Sequence, residues 1–176
     1  MADKLKVGVI GAGRWANRAH LPGFTRSPLS EVVAICDMNR GLAEQRAKEY
    51  EIPDVYTDAR EMIGRNDIDV IDVCTRGGPD DPDNHEKLVF TALEADKHVL
   101  CEKPVAHDYR NTWKAHRLAE SKDLKTKVGF TFRYAPAMMY MMELIEGGFI
   151  GEPYIFNGFE QNSQFLSPDE PLTKRD

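Results

Sequence analysis

The residue pattern predicts an α/β fold built on a doubly wound parallel sheet, followed by the start of an α+β second domain. Short apolar runs rich in β-branched residues alternate with stretches of helical spacing, the signature of repeated strand-helix units. A glycine-rich turn directly follows the first of these runs. The chain then changes character near Arg133, where a methionine-rich helical pattern takes over.

The predicted strands are Lys6-Val-Gly-Val-Ile10, Val32-Val-Ala-Ile-Cys36, Val70-Ile-Asp-Val-Cys74, His98-Val-Leu-Cys101 and Lys127-Val-Gly-Phe-Thr-Phe132. Most are apolar on both faces, as strands covered by helices on both sides must be. Asn39 is placed to cap a helix that carries Leu42, Ala43, Ala47 and Tyr50 on one side. Leu88, Val89, Ala92 and Leu93 repeat that spacing after Asp83-Asn84, and Ala115, Leu118 and Ala119 do so after Asp108. Parallel strands joined in this way require right-handed crossovers. Pro136 opens a helix containing Met138, Met139, Met141, Met142, Leu144 and Ile145, side chains expected to be core, and Gly147-Gly148 is its stop signal. Tyr154 to Phe159 reads as a further strand, and the charged, proline-containing segment from Ser167 to Asp176 as loop or frayed tail. Residues 1–128 are thus expected to form the first domain and 129–176 the beginning of the second.

The chain has 176 residues, 41% of them hydrophobic and 30% charged, which describes a globular protein rather than a disordered one. A formal charge of -6 argues against a nucleic-acid partner, because phosphate binding draws on a surplus of Lys and Arg. Neither a signal peptide nor a run approaching the ~18 apolar residues of a membrane span is present, so the expected location is the cytoplasm, with no membrane association. Cys36, Cys74 and Cys101 lack metal-ligand spacing and each ends a predicted strand, so they read as buried thiols and no metal is expected.

Gly11-Ala12-Gly13-Arg14-Trp15-Ala16 has the form G-x-G-x-x-A and sits between a predicted strand and a predicted helix. In that context the string is the fingerprint of a dinucleotide-binding Rossmann fold. Gly11 permits the tight turn, Gly13 lets the backbone approach a pyrophosphate, and Ala16 is small enough for close helix-strand packing. Backbone N–H groups of Arg14 and Trp15 would face the phosphates at the positive end of the helix. Asp37 closes the second predicted strand, where a carboxylate accepts hydrogen bonds from the adenosine ribose hydroxyls. A carboxylate there disfavours a 2'-phosphate. NAD is therefore the expected cofactor, and NADP the alternative, since Arg40 lies close enough in sequence to offset that repulsion.

Glu102-Lys103-Pro104 immediately follows the predicted strand His98 to Cys101. Ligands of an open α/β sheet bind outside the carboxyl ends of its strands, so this turn faces the same crevice as the glycine turn. A lysine there can donate to a substrate hydroxyl or share in proton transfer, and a solvated strand-end lysine is the plainer alternative.

Together with Val7-Gly-Val-Ile-Gly-Ala-Gly13, the block Ala92-Leu-Glu-Ala-Asp-Lys-His-Val-Leu-Cys-Glu-Lys-Pro104 and Val128-Gly-Phe-Thr-Phe-Arg133 followed by Pro136 resemble the Gfo/Idh/MocA family of sugar and cyclitol oxidoreductases. The resemblance runs from Leu5 to about Phe159. It implies hydride transfer between nicotinamide and a hydroxyl-bearing carbon, with Lys103 as the catalytic and substrate-contacting residue. It also implies that Glu102, Lys103 and Pro104 shape the nicotinamide end and that Thr75 and His85 lie by the cofactor. Arg133 is implied to lie near substrate or to anchor the domain junction. The loop from Arg76 to His85 is longer and more acidic than the family pattern.

Family members continue into an open antiparallel sheet bearing the usual Asp...His acid/base motif, which this chain does not reach. The resemblance therefore implies a cofactor half whose sheet is completed by further sequence or a partner chain, with a homo-oligomer as the family's habit. His20, His98, His107 and His116 are expected to be surface or packing residues. Two other readings stay open: a non-catalytic dinucleotide-binding module, and a member that uses NAD as a transient redox partner in elimination or glycoside cleavage.

Overall fold

The computed structural model describes residues 3–75 and 84–159. Its sheet comprises six parallel strands: β1 (Leu5–Ile10), β2 (Ser30–Cys36), β3 (Asp54–Tyr56), β4 (Val70–Val73), β5 (His98–Cys101) and β6 (Thr126–Val128). Their spatial order is β3-β2-β1-β4-β5-β6. The chain therefore reverses its direction of progress between β1 and β4, and the crevice at the carboxyl ends of those strands is where such a sheet takes its ligand.

Alternation along the strands divides the core between the two faces. On one face Val7, Val9 and Ile35 pack with Leu21 of α1 (Leu21–Arg26) and with Ala43 and Ala47 of α2 (Arg40–Tyr50). On the other, Ile10, Ile71, Val73 and Val99 pack with Met62 of α3 (Ala59–Ile63), Val89 and Leu93 of α4 (Asn84–Glu94) and Ala115 of α5 (Tyr109–Ser121). Each fully buried Leu, Ile, Val or Met contributes about 1.5–3 kcal/mol, so these two layers supply most of the drive to fold. Local sequence sets the helix starts: Asn39 accepts from the Leu42 amide, Asp58 from Arg60 and Asp108 from Arg110, the N-cap geometry that these short polar side chains favour.

The amino end of the sheet is locked by charge. Lys97 is buried and its Nζ donates to the carbonyls of Arg65 (2.7 Å) and Ile68 (2.8 Å), while the Arg65 guanidinium pairs with Asp54 and Asp67.

Three expectations are corrected. The predicted strand over Lys127-Val-Gly-Phe-Thr-Phe132 stops at Val128, because the chain folds into a tight turn in which the Phe130 amide donates to the Val128 carbonyl, and residues Thr131–Tyr134 form a 3-10 turn. Residues 154–159 form no strand, since no described strand offers them a ladder, and Tyr154, Ile155, Phe156 and Phe159 are exposed. The methionine-rich α6 (Pro136–Glu146) begins at Pro136 and ends at Gly147 as expected, yet none of its residues is buried by the described residues, where core packing was expected. β3 and α3 were not legible in the pattern. The described chain divides into two compact units between Thr131 and Phe132, α6 belonging to the second. No described helix is long and apolar enough to cross a membrane.

Candidate dinucleotide site and catalytic edge

The glycine turn leaves β1 under tight steric control. Gly11 has φ +106°, and a Cβ there would lie 2.6 Å from the Cys74 carbonyl oxygen, so no other residue fits. Its amide donates to the Cys36 carbonyl at 2.7 Å. Both peptides flanking the Ala12 Cα are pinned: the Ala12 amide donates to Asp37 Oδ2 (2.8 Å), and the Ala12 carbonyl accepts from Arg46 Nε (3.4 Å). Gly13 is the opposite case, because a Cβ there would meet nothing within 4 Å. The protein itself does not need glycine at that position, whereas a phosphate approaching the backbone would.

Residues 14–26 form one helical run whose middle, Ala16–His20, is wound as a π turn. The Arg14 and Trp15 amides belong to its first turn and have no acceptor within the helix, which makes them donors for an anion. Ala16 is fully buried beneath the turn. Asp37 Oδ1 accepts from the Asn39 amide (2.8 Å), so each carboxylate oxygen holds one backbone N–H and keeps lone-pair capacity for a ribose hydroxyl. Arg40 is exposed and paired with Glu44. The donors and the carboxylate fit a dinucleotide.

The second turn is bound into the same edge. The Glu102 amide extends the ladder to the Val73 carbonyl (2.9 Å), and the Lys103-Pro104 peptide is cis. His85, buried at the start of α4, presents Nδ1 to the Pro104 carbonyl (2.8 Å) and Nε2 to the Thr75 carbonyl (2.7 Å). The Thr75 hydroxyl is hydrogen-bonded to Asn84. His85 thus splices the strand ends of β4 and β5, with both ring nitrogens already occupied by the protein. Lys103 is exposed, and its side chain has no hydrogen bond or ion pair with a described residue. Arg133 lies exposed in the 3-10 turn of the second unit. The loop from Arg76 to Asp83 falls outside the described residues.

Beneath the two turns lies a charged network that sequence reasoning missed. Asp72 points from the middle of β4 and is fully buried. His20 Nδ1 lies 2.9 Å from Asp72 Oδ2, and His20 Nε2 lies 3.2 Å from Glu102 Oε1. Trp15 Nε1 donates to that same Oε1 at 2.9 Å. Burial alone would lower the His20 pKa, but hydrogen bonds and charge from Asp72 and Cys74 outweigh it and raise it to about 11. Burial raises the Asp72 carboxyl against the pull of His20, so the pair retains a proton well above neutrality. The His20 side chain is therefore buried and hydrogen-bonded, and not one of the surface. The available signal was Asp72 itself, a carboxylate inside an apolar strand, since a buried charge calls for a buried partner. Cys36 and Cys101 are the buried thiols expected, and burial pushes both up to about 12.

Residues 5–130 match the Gfo/Idh/MocA family, described as an oxidoreductase family with an NAD-binding Rossmann fold. Among its relatives is an inositol 2-dehydrogenase/D-chiro-inositol 3-dehydrogenase of Lacticaseibacillus casei, 32% identical over 93% of this chain and 46% of that protein. The levoglucosan dehydrogenase of Pseudarthrobacter phenanthrenivorans is 29% identical over 98% of this chain and 45% of its own length. Among solved structures, a 3-ketoreductase from Actinomadura kijaniata in complex with TDP-benzene and NADP superposes with a TM-score of 0.73. It is 28% identical, over 85% of this chain and 46% of that one. The chain spans a little under half the length of these proteins. The match over residues 5–130 and the turn geometry it covers make this chain a member of the Gfo/Idh/MocA oxidoreductase family, with the family's NAD-binding Rossmann fold.

Proposed function

We propose that this chain carries the cofactor half of a cytoplasmic NAD-dependent dehydrogenase that exchanges hydride with a hydroxyl-bearing carbon of a sugar or cyclitol. The observation that carries the reading is the shared edge: the open Gly13 backbone, the Asp37 carboxylate and the Glu102-Lys103-Pro104 turn stand at the carboxyl ends of β1, β2 and β5 of one parallel sheet. Dehydrogenases of inositol and levoglucosan among the relatives support the substrate class.

Nicotinamide, when bound, supplies the hydride acceptor or donor. The chain's own residues do the rest. Gly13, Arg14 and Trp15 offer backbone N–H groups to the pyrophosphate. Asp37 accepts from the ribose hydroxyls and repels a 2'-phosphate, and the paired, exposed Arg40 does little to offset that repulsion. Lys103 donates to the substrate oxygen and takes part in moving the hydroxyl proton. Thr75 and His85 hold the floor of the site between β4 and β5. Arg133 acts at the substrate side, and the remaining acid/base group comes from sequence beyond this chain or from a partner subunit, within a homo-oligomer.

Titration of the purified protein with NADH and NADPH, followed by nicotinamide fluorescence, tests the cofactor assignment. NADH is expected to bind the more tightly, and Asp37→Ala to weaken it about tenfold, the worth of one charge-assisted hydrogen bond. Equal affinities, unchanged by Asp37→Ala, refute it. A panel of inositols and anhydrosugars, assayed for net nicotinamide turnover with the complete enzyme, tests the reaction. Binding without turnover on any of them would instead favour a non-catalytic module or transient redox use of the cofactor.

A further inference from the structure

We propose that His20 is a positioning residue: with Trp15 it clamps the Glu102 carboxylate and so fixes the Lys103 backbone relative to the glycine turn. The inference builds on the reading of Lys103 as the substrate-side residue. Three ionisable side chains, His20, Asp72 and Glu102, are buried together where apolar side chains would pack at lower free energy, so the cluster is poorly explained by stability alone.

What the cluster does join is specific. Trp15 and His20 stand on the helix that opens with the glycine turn, Asp72 on β4, and Glu102 immediately before Lys103. Positions five apart fall about 140° from each other around an α-helix of 3.6 residues per turn. The π turn over Ala16–His20 closes that gap, and both side chains reach the one oxygen, Oε1 of Glu102. The other oxygen, Oε2, accepts the Lys103 amide at 3.2 Å. Gly129 walls the remaining side, where a Cβ would sit 2.5 Å from Oε1. The carboxylate is thus held by the cofactor-side helix on one oxygen and holds the lysine's backbone with the other. Asp72 keeps the imidazole ring in its plane by accepting at Nδ1. The charged and titratable groups facing His20 are Asp72 from β4, Cys74 just beyond it and Glu102 beyond β5.

Loss of His20 leaves the Glu102 charge uncompensated, and the adjacent residue, whose amide Glu102 already holds, is the exposed Lys103. An ammonium drawn to that carboxylate holds its proton more firmly and reacts more slowly with acylating reagents. The test is acetic anhydride labelling of the full protein across a pH series, with Lys103 quantified by mass spectrometry against Lys125 as internal reference. Two mild variants are used, His20→Gln and Trp15→Phe, each checked for a cooperative melt. Both are expected to slow Lys103 labelling about threefold or more at neutral pH and to move its profile to higher pH, with the double variant less than additive because both act on Glu102. An unchanged Lys103 profile in either folded variant, even with a lowered melting temperature, overturns the proposal and leaves the network a purely structural one. Labelling needs neither substrate nor turnover, so failure of the dehydrogenase reading would leave this result standing, and the reverse.

Discussion

The buried His20-Asp72 pair makes folding stability depend on pH with a sign and a ceiling. An unfolded imidazole titrates near 6.5, whereas in the native protein His20 is raised to about 11, after Asp72 and Cys74 outweigh the burial that alone would lower it. Below about pH 6.5 both states hold the proton and the pair's contribution is complete. Above it the native state binds one proton more than the unfolded chain, so stability falls as pH rises, by at most about 1.4 kcal/mol per pH unit. That slope follows from the proton count alone and does not depend on which partner carries the proton. Integrated from about pH 7.0 to about pH 8.5, the loss reaches at most about 1.9 kcal/mol. Unfolded thiols begin to ionise in the upper part of this range, and Cys36 and Cys101, both pushed up to about 12 by burial in the native protein, add a slope of the same sign to wild type and variant alike. Urea denaturation followed by tryptophan fluorescence, on wild type and a His20→Gln/Asp72→Asn variant that removes both groups able to carry the proton, isolates the effect as the change in their stability difference between the two pH values. Distant groups cancel in that difference, and Trp15, bonded to Glu102, reports from the network itself. The wild-type advantage should shrink toward high pH. A difference constant to within about 0.3 kcal/mol would refute a protonated native pair.

Gly11→Ala combines a left-handed backbone with a Cβ 2.6 Å from the Cys74 carbonyl oxygen, and is expected to cost about 3 kcal/mol or more in urea denaturation and to abolish NADH binding. Gly13→Ala, which meets no protein atom, should leave stability within about 1 kcal/mol of wild type while still weakening NADH in the fluorescence titration. Lys97→Met leaves the Arg65 and Ile68 carbonyls without their donor and should cost about 2 kcal/mol in the same denaturation assay. Because Lys97 serves the amino end of the sheet, NADH affinity of the folded variant should be unchanged.

What was legible in the sequence was what is local. β1, β2, β4 and β5 announce themselves as β-branched runs, and Asn39, Asp108, Pro136 and Gly147 mark helix ends within one turn of where they act. β3 and α3, at three and five residues, are too short for any period to register. The runs at 129–132 and 154–159 have strand composition, but a strand exists only where a ladder partner does, and composition is silent about partners. The glycine turn, Asp37 and the Glu-Lys-Pro turn were readable because each acts through its own backbone position. His20, Asp72 and Glu102 were not read as a network, since 52 residues separate His20 from Asp72 and 82 separate it from Glu102. Only the fold's order β1-β4-β5 makes them neighbours.

The two ends of the sheet treat buried charge differently, and the difference bears on function. At the amino end the Lys97 ammonium spends its donors on backbone carbonyls, so it fastens loop to strand whatever the neighbouring side chains are. At the carboxyl end His20, Asp72, Glu102 and Trp15 bond side chain to side chain, and each partner comes from, or beside, an element that also presents backbone to the cofactor crevice. Asp37, just beyond β2, and Arg46 of α2 complete this arrangement by holding the two peptides that flank the Ala12 Cα. With Gly11, Ala12 and the Asp37 carboxylate already fixed by protein bonds, the turn meets a dinucleotide without ordering Asp37 first, a cost of about 0.5–1.5 kcal/mol for a side chain otherwise immobilised. The carboxyl edge is therefore preorganised around the ligand's charge, and Lys103, exposed and unpaired among the described residues, is the one lysine of the Glu-Lys-Pro turn left free to meet a second molecule there.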